Sequence, residues 1–463
     1  MVTRQTPSGR IHAGLLAVGL ASVGVAMAAR MLIHFPKPSP LSALPAAEQK
    51  RLFALDQEMN RLTADVTAKP NDTKARWALA DFFQRIGRID KAGDQLREIL
   101  KLEPDSTLAW NAMGNVLIAE GKFREAEQFY RDATRRWPKA APAWQGLAAT
   151  QFHERRYLDA ADSARTAVLL DRKEPNGRFI LGAALLEYVE QIPNPEEYES
   201  ELKVARNNFM LILGAWPDKG DVYYRLGRAN LLLHEGPDAI KNLRRAMEIM
   251  PANGDVSIRL ARSYIGIGKR DAALRVLTDA VVRFPKSAGI HSMLGTMLQD
   301  DPGPDAETQA FEHLRQATLL APDSAVFLER YGAACLRINR LDEARAALES
   351  AQKLDRNNEL VYQQLAVLYS RLGDHASSVF AAKTARDMME NGDKLRRVQA
   401  LSNAHPRDPG LHLVLANRYR ELGRQSAASD EYEIASRLEP GNAEAKRGLE
   451  QVSQDQATNT AHR

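Results

Sequence analysis

Apolar residues of small and large size return along this chain with a fixed period of 34 residues. Pro104 and Pro138 lie 34 apart, Pro217, Pro251 and Pro285 keep the same step, and Pro406 and Pro440 repeat it near the end. Units counted from these marks start at Thr73, Thr107, Ala141, Pro175, Gly220, Gly254, Ala288, Ala325, Glu359 and Pro409. The clearest unit, TLAWNAMGNVLIAEGKFREAEQFYRDATRRWP, places Trp110, Met113, Gly114, Gly121, Ala126, Tyr130, Ala133 and Pro138 at positions 4, 7, 8, 15, 20, 24, 27 and 32. Such a unit predicts two antiparallel helices. Gly87, Gly121, Gly268, Asn339, Gly373 and Gly423 at position 15 suit a left-handed stop for the first, and proline at 32 ends the second.

Position 8 is Ala80, Gly114, Ala148, Gly182, Gly227, Ala261, Gly295, Gly332, Ala366 and Ala416, with no large side chain. Position 20 is Ala92, Ala126, Ala160, Ala205, Ala239, Ala273, Ala310, Ala344, Ser378 and Ala428. Two helices reach the short end of the ~8–10 Å range of axis separations only if the contacting residues lack bulk. Together these positions resemble the tetratricopeptide repeat, over residues 73–442. One unit cannot bury its own apolar face, whereas stacked units can. The resemblance implies an all-α, right-handed superhelical solenoid of about ten helix-turn-helix repeats. Extra residues at 187–204, 299–306 and 391–406 mark irregular edges, and Asn391-Gly392 favours a helix break.

The two ends carry other patterns. Leu52, Leu55, Met59, Leu62 and Val66 alternate steps of three and four, which predicts a capping helix within 46–72, and 443–463 holds a C-terminal capping helix and tail. Residues 1–12 are basic through Arg4 and Arg10, and 13–35 are largely uncharged. That stretch reads as a transmembrane anchor, or as a signal peptide cleaved after Ala26-Met27-Ala28, with the proline-rich stretch 36–45 as a spacer. The anchor reading makes a single-pass membrane protein with periplasmic repeats, and the signal reading a secreted periplasmic one.

Composition narrows the chemistry. A 463-residue chain with 44% hydrophobic and 26% charged residues is neither wholly disordered nor a multi-span membrane protein. One cysteine excludes a disulfide framework and cysteine-based metal sites. The net charge of +4, from 63 basic and 59 acidic residues, is no reason to expect nucleic acid. There is no HExxH, GxSxG, phosphate loop or dinucleotide fingerprint, so neither catalysis nor a cofactor or metal is expected. Gly266 to Lys269 reads as the turn of the sixth repeat, and Cys335, at position 11, as a core residue.

The chemistry left is that of the inner groove, which the resemblance assigns to positions 2, 5, 6, 9, 12 and 13 of each first helix. Positions 5, 6 and 9 give Tyr224, Arg225 and Arg228 in the fifth unit and Ile258, Arg259 and Arg262 in the sixth, whose arginines form a basic strip extended by Arg330, Arg337 and Arg371. Guanidinium forks suit carboxylates, so an acidic peptide is the expected ligand, unless Glu329, Asp221 and Asp255 simply neutralise the strip. Asn111 and Asn115 are placed to hydrogen-bond a peptide backbone. The function expected is a noncatalytic scaffold, tethered to the membrane by its N-terminal helix, that binds partner proteins or peptide segments. The alternative is an accessory subunit of an envelope polysaccharide or cytochrome-assembly enzyme complex.

Overall fold

The computed structural model describes residues 45–191, 198–301, 303 and 305–461, which are helical and contain no strand. They form two compact units that meet in sequence at Met250 and Pro251. The first unit holds α1 (Ala46–Ala68) and five pairs: α2 (Thr73–Arg85) with α3 (Ile89–Leu102), α4 (Thr107–Ala119) with α5 (Phe123–Arg136), α6 (Ala141–His153) with α7 (Tyr157–Leu170), α8 (Pro175–Glu190) with α9 (Glu199–Ile212), and α10 (Gly220–Leu232) with α11 (Gly236–Ile249). The second holds α12 (Gly254–Gly266) with α13 (Arg270–Arg283), α14 (Ala288–Leu298) with α15 (Ala306–Leu320), α16 (Ala325–Arg337) with α17 (Leu341–Leu354), α18 (Glu359–Arg371) with α19 (His375–Ala404), α20 (Pro409–Glu421) with α21 (Gln425–Leu438), and finally α22 (Ala443–Ala461). In each unit the helices of a pair pack together and the first helices also touch one another, as α4, α6, α8 and α10 do in one and α12, α14, α16 and α18 in the other.

The periodic positions account for this stacking. Ala92, Ala126, Ala160, Ala205, Ala239, Ala273 and Ala344 at position 20 are fully buried. Opposite them, a Cβ added to Gly227 would stand 2.6 Å from Leu243 Cγ, and one added to Gly332 would stand 2.6 Å from Leu348 Cγ. Position 8 therefore packs directly on the side chain at position 24.

Position 15 is left-handed in eight repeats, at Gly87, Gly121, Gly268, Gly373, Gly423 and Asn339, and also at Arg155 and His234, where no glycine signals it. Each stop is closed by the next N–H reaching back to the carbonyl at position 11, as in Lys122 N to Leu117 O at 2.9 Å and Arg156 N to Gln151 O at 2.9 Å.

A second recurring bond ties six of the repeats to the segment before them. Side chains at position 4 donate to the carbonyl six residues earlier: Arg76 to Pro70 at 2.8 Å, Trp110 to Pro104 and Trp144 to Pro138 at 2.9 Å each, and Arg178 Nε to Arg172 at 3.1 Å. His291 and His412 make the same bond through Nε2 to Pro285 and Pro406, at 3.0 and 3.2 Å. Proline at 32 thus ends one helix and leaves a carbonyl for the next repeat to occupy.

Two expectations change. No helix among the described residues is long and apolar enough to cross a membrane, which corrects the single-pass placement. Even the longest, α19, is interrupted by charges such as Lys383, Arg386, Asp387, Lys394, Arg396 and Arg397, each costly to bury in hydrocarbon. The basic segment 1–12, the stretch 13–35 and the spacer up to residue 44 lie outside the described residues. Nor does the chain break at Asn391-Gly392: α19 runs through both for 30 residues. A glycine inside a helix costs only ~1 kcal/mol, and here the continuing helix buries Leu395, Gln399 and Ser402.

Gly227→Ala measures the contact between positions 8 and 24. Alanine improves helix propensity by ~1 kcal/mol, yet its methyl collides with Leu243. Overpacking of this kind costs ~1–3 kcal/mol, so a lower urea midpoint is expected; an unchanged or higher midpoint would show that the helices can separate at no cost.

Candidate functional site

The arginines of the expected strip are divided between the two units. In the first unit, Arg225 and Arg228 project from α10 toward the end of α8, which at 16 residues outlasts the usual 13 of a first helix by nearly a turn. That added length carries Glu190, one turn after Glu187. Arg228 bonds Glu187 at 2.9 Å and Glu190 at 2.7 Å, and Arg225 bonds Glu187 at 3.0 Å and Asp221 at 3.1 Å. The Arg228 side chain is only 7% exposed. Its guanidinium lies 5.4 Å from the Tyr224 ring, and that of Arg225 lies 5.4 Å from Phe179. Burial opposes ionisation of Glu187, but Arg228 and Arg225 outweigh it and hold the carboxyl below its usual range. Arg228, against its own desolvation, is raised by Glu190 and Glu187. Both arginines are thus engaged by carboxylates of their own chain. The overlooked signal was the pair Glu187 and Glu190, spaced to share a helix face just before the insertion.

Asn115 is likewise engaged. Its Oδ1 accepts from Tyr130 Oη at 2.8 Å, and Tyr130 Oη also lies 3.0 Å from the Asn111 carbonyl. A Cβ at Gly146, in the next repeat, would come within 2.1 Å of the Tyr130 ring. Asn417, Tyr432 and Gly448 repeat the trio at the same positions of the second unit, with Asn417 Oδ1 accepting from Tyr432 Oη at 2.5 Å. Asn111 has a different setting: it lines a cavity with Trp110 and Trp137, and its Oδ1 is buried without a hydrogen-bond partner.

The second unit does gather arginines. Arg259 and Arg262 from α12 and Arg330 from α16 line a cleft of about 330 Å³, with Ile258, Met293, Met297 and Phe327 supplying apolar walls. Among the described residues Asp255 is the one carboxylate in the lining, and it lies 3.7 Å from Arg259. Arg330 donates to Ser292 Oγ at 2.9 Å. Arg337 is directed to the Gln299 carbonyl at 2.7 Å and Asp300 at 3.7 Å, and Arg371 to the Leu336 carbonyl at 2.5 Å; neither lines the cleft. Met293, Met297 and Phe327 are not singled out by the sequence, in which no spacing or motif marks them.

Elsewhere, Cys335 is fully buried and its thiol is pushed up to about 11, by burial above all. Gly268 has the φ of +73° that its turn requires. Models of the tetratricopeptide repeat match residues 231–297, and again 111–177 and 308–359. The chain carries tetratricopeptide repeats. Among solved structures it is similar to the APC/C hetero-tetramer Cut9-Hcn1 (15% identity, 82% of this chain and 76% of that one, TM-score 0.38). It is also similar to the human IFIT1 dimer with m7Gppp-AAAA (14%, 83% and 94%, 0.42) and to a tetratricopeptide repeat protein from Parabacteroides merdae (14%, 57% and 98%, 0.40). No curated protein matches the chain.

Arg228→Ala should remove one partner from each of two part-buried carboxylates, Arg225 remaining on Glu187. A fully buried pair costs ~3–5 kcal/mol to break; with Glu187 and Glu190 still 24% and 17% exposed, a loss of roughly 2 kcal/mol is expected in urea titrations. Glu187 has a folded-state pKa below its unfolded one, so its contribution is complete above the ordinary glutamate range and fades as pH falls through the lower folded value. Stability of the variant should therefore fall less steeply between neutral and acid pH; equal slopes would mean that the network adds nothing to folding.

Proposed function

We propose that this protein is a noncatalytic scaffold whose cleft between α12, α14 and α16 takes an acidic, apolar-flanked segment of a partner protein. Tetratricopeptide repeats imply a role in protein–protein interaction. The choice of surface rests on one observation: Arg259, Arg262 and Arg330 line one cleft together with apolar walls. Guanidinium groups beside apolar walls suit an incoming carboxylate, which the planar fork of arginine can hold by two parallel bonds. Ile258, Met293, Met297 and Phe327 then take the neighbouring apolar side chains, methionine adapting to more than one shape. Arg225 and Arg228 instead hold α10 to α8.

A fluorescent peptide of alternating aspartate and leucine tests this reading by anisotropy. Replacing Arg259, Arg262 and Arg330 together by alanine should weaken binding by at least ~30-fold, since one arginine hot spot can contribute ~2 kcal/mol. Affinity should also fall as salt shortens the screening length from about 10 Å at 0.1 M to about 3 Å at 1 M. Arg225→Ala should leave the affinity unchanged. Equal binding by the triple variant would reject the cleft as the site.

A further inference from the structure

Position 4 of a first helix also meets position 23 of its partner, and the chemistry of that contact differs from repeat to repeat. Arg76 donates to Gln95 Oε1 at 3.1 Å, Arg178 to Asn208 Oδ1 at 3.3 Å, and Trp110 stacks on Phe129 at 4.3 Å. In the tenth repeat His412 Nδ1 lies 2.6 Å from a carboxylate oxygen of Glu431. In the seventh, two imidazoles face each other, with His291 Nδ1 3.0 Å from His313 Nδ1. The Pro285 carbonyl can only accept, so His291 Nε2, 3.0 Å from it, carries a hydrogen. The neutral His291 ring then has a bare lone pair at Nδ1, and the Nδ1–H of His313 donates to it. His291 is buried, which leaves little water to replace that bond.

The bond holds only while His291 Nδ1 is bare. A second proton on the pair sets N–H against N–H and cation against cation, and the rings must part. Burial, and then the neighbouring His291, hold His313 below the usual histidine range, while Glu312 opposes them. Glu312 is itself paired with Arg315 at 3.1 Å, and α14 carries no titratable side chain besides His291. On the helices packed against α14, Arg283 of α13 is directed to the Asp279 carbonyl at 3.5 Å, Arg259 of α12 to Asp255 at 3.7 Å and Arg330 of α16 to Ser292 at 2.9 Å. Glu329 of α16 accepts from Gln364. We propose that the His291–His313 contact is an acid-sensitive latch on α14, which opens as the pair takes up a second proton and loosens the cleft wall carrying Met293 and Met297. The proposal rests on the cleft reading only for what the loosened wall releases.

Hydrogen exchange of the full chain without peptide, read by mass spectrometry and corrected for intrinsic rates, tests the latch. In acid a latched pair holds one proton fewer than an open one, so opening is favoured as pH falls below the ordinary histidine value of about 6.5. Protection of the α14 amides should therefore drop by about tenfold or more between about pH 7.5 and about pH 5.5. The start of α20 around His412 is the control: a carboxylate accepts from a protonated ring, so protection there should not drop. His313→Gln should abolish the drop in α14, because an amide accepts from a protonated His291 as readily as it donates to a neutral one. His313→Glu rebuilds the contact of the tenth repeat and favours the protonated ring. Its support is present in acid and lost as pH rises, so protection of α14 should be higher at the lower pH. Equal native protection at both pH values, a matching drop in α20, or a drop that survives in either variant would overturn the proposal. Should a variant fail to fold, the comparison of α14 with α20 in the native chain still decides. Failure of the aspartate–leucine peptide to bind would reject the cleft and leave the latch standing, because exchange is read without it.

Discussion

Close approach between position 8 of each first helix and position 24 of its partner is the contact on which the rest of each unit depends. Glycine at Gly114, Gly182, Gly227, Gly295 and Gly332 leaves room for Tyr130, Phe209, Leu243, Leu314 and Leu348 to lie against bare backbone. Because the side chain at 24 fills that room, helix spacing is set by its size rather than by polar contacts. Where it is tyrosine, the adjustment extends further: Gly146 and Gly448 open the next helix to the rings of Tyr130 and Tyr432, and Asn115 and Asn417 take their hydroxyls. Burying a tyrosine without such an acceptor would carry the desolvation penalty of its hydroxyl.

The same economy governs the joints between repeats. A carbonyl freed by the proline-marked end of one repeat would be an unsatisfied group, and the donor at position 4 of the next removes that cost whether it is tryptophan, arginine or histidine. The chemistry of position 4 is thus constrained more tightly than its amino-acid identity. That is why the position is legible as tryptophan in two units and invisible as a class in the others.

Charge behaves differently from packing. Arg225 and Arg228 share the register of groove residues, but a lengthened α8 brings Glu187 and Glu190 against them. The carboxylates lie 38 and 41 residues from the arginines they bind, beyond the reach of any pattern along one helix. Arg259, Arg262 and Arg330 line one cleft of the other unit. Residues that share one register thus acquired different settings through an insertion that interrupts the period and lengthens α8.

What the sequence by itself determined is the part of this protein that depends on size and backbone conformation. The small residues at positions 8 and 20, the stops at position 15 and the prolines at 32 specify paired helices, because steric exclusion and φ are properties of residue type and spacing. Even there, Arg155 and His234 hold the left-handed stop without its usual residue, since the bond closing the turn is made by backbone and asks nothing of the side chain. Tertiary structure alone decided which polar groups are engaged: Asn115 by Tyr130, Arg228 by Glu187 and Glu190, and Asn111 Oδ1 by none. A hydrogen bond or ion pair is settled by distances of a few tenths of an ångström between residues remote in the chain, and repeat register does not carry that information.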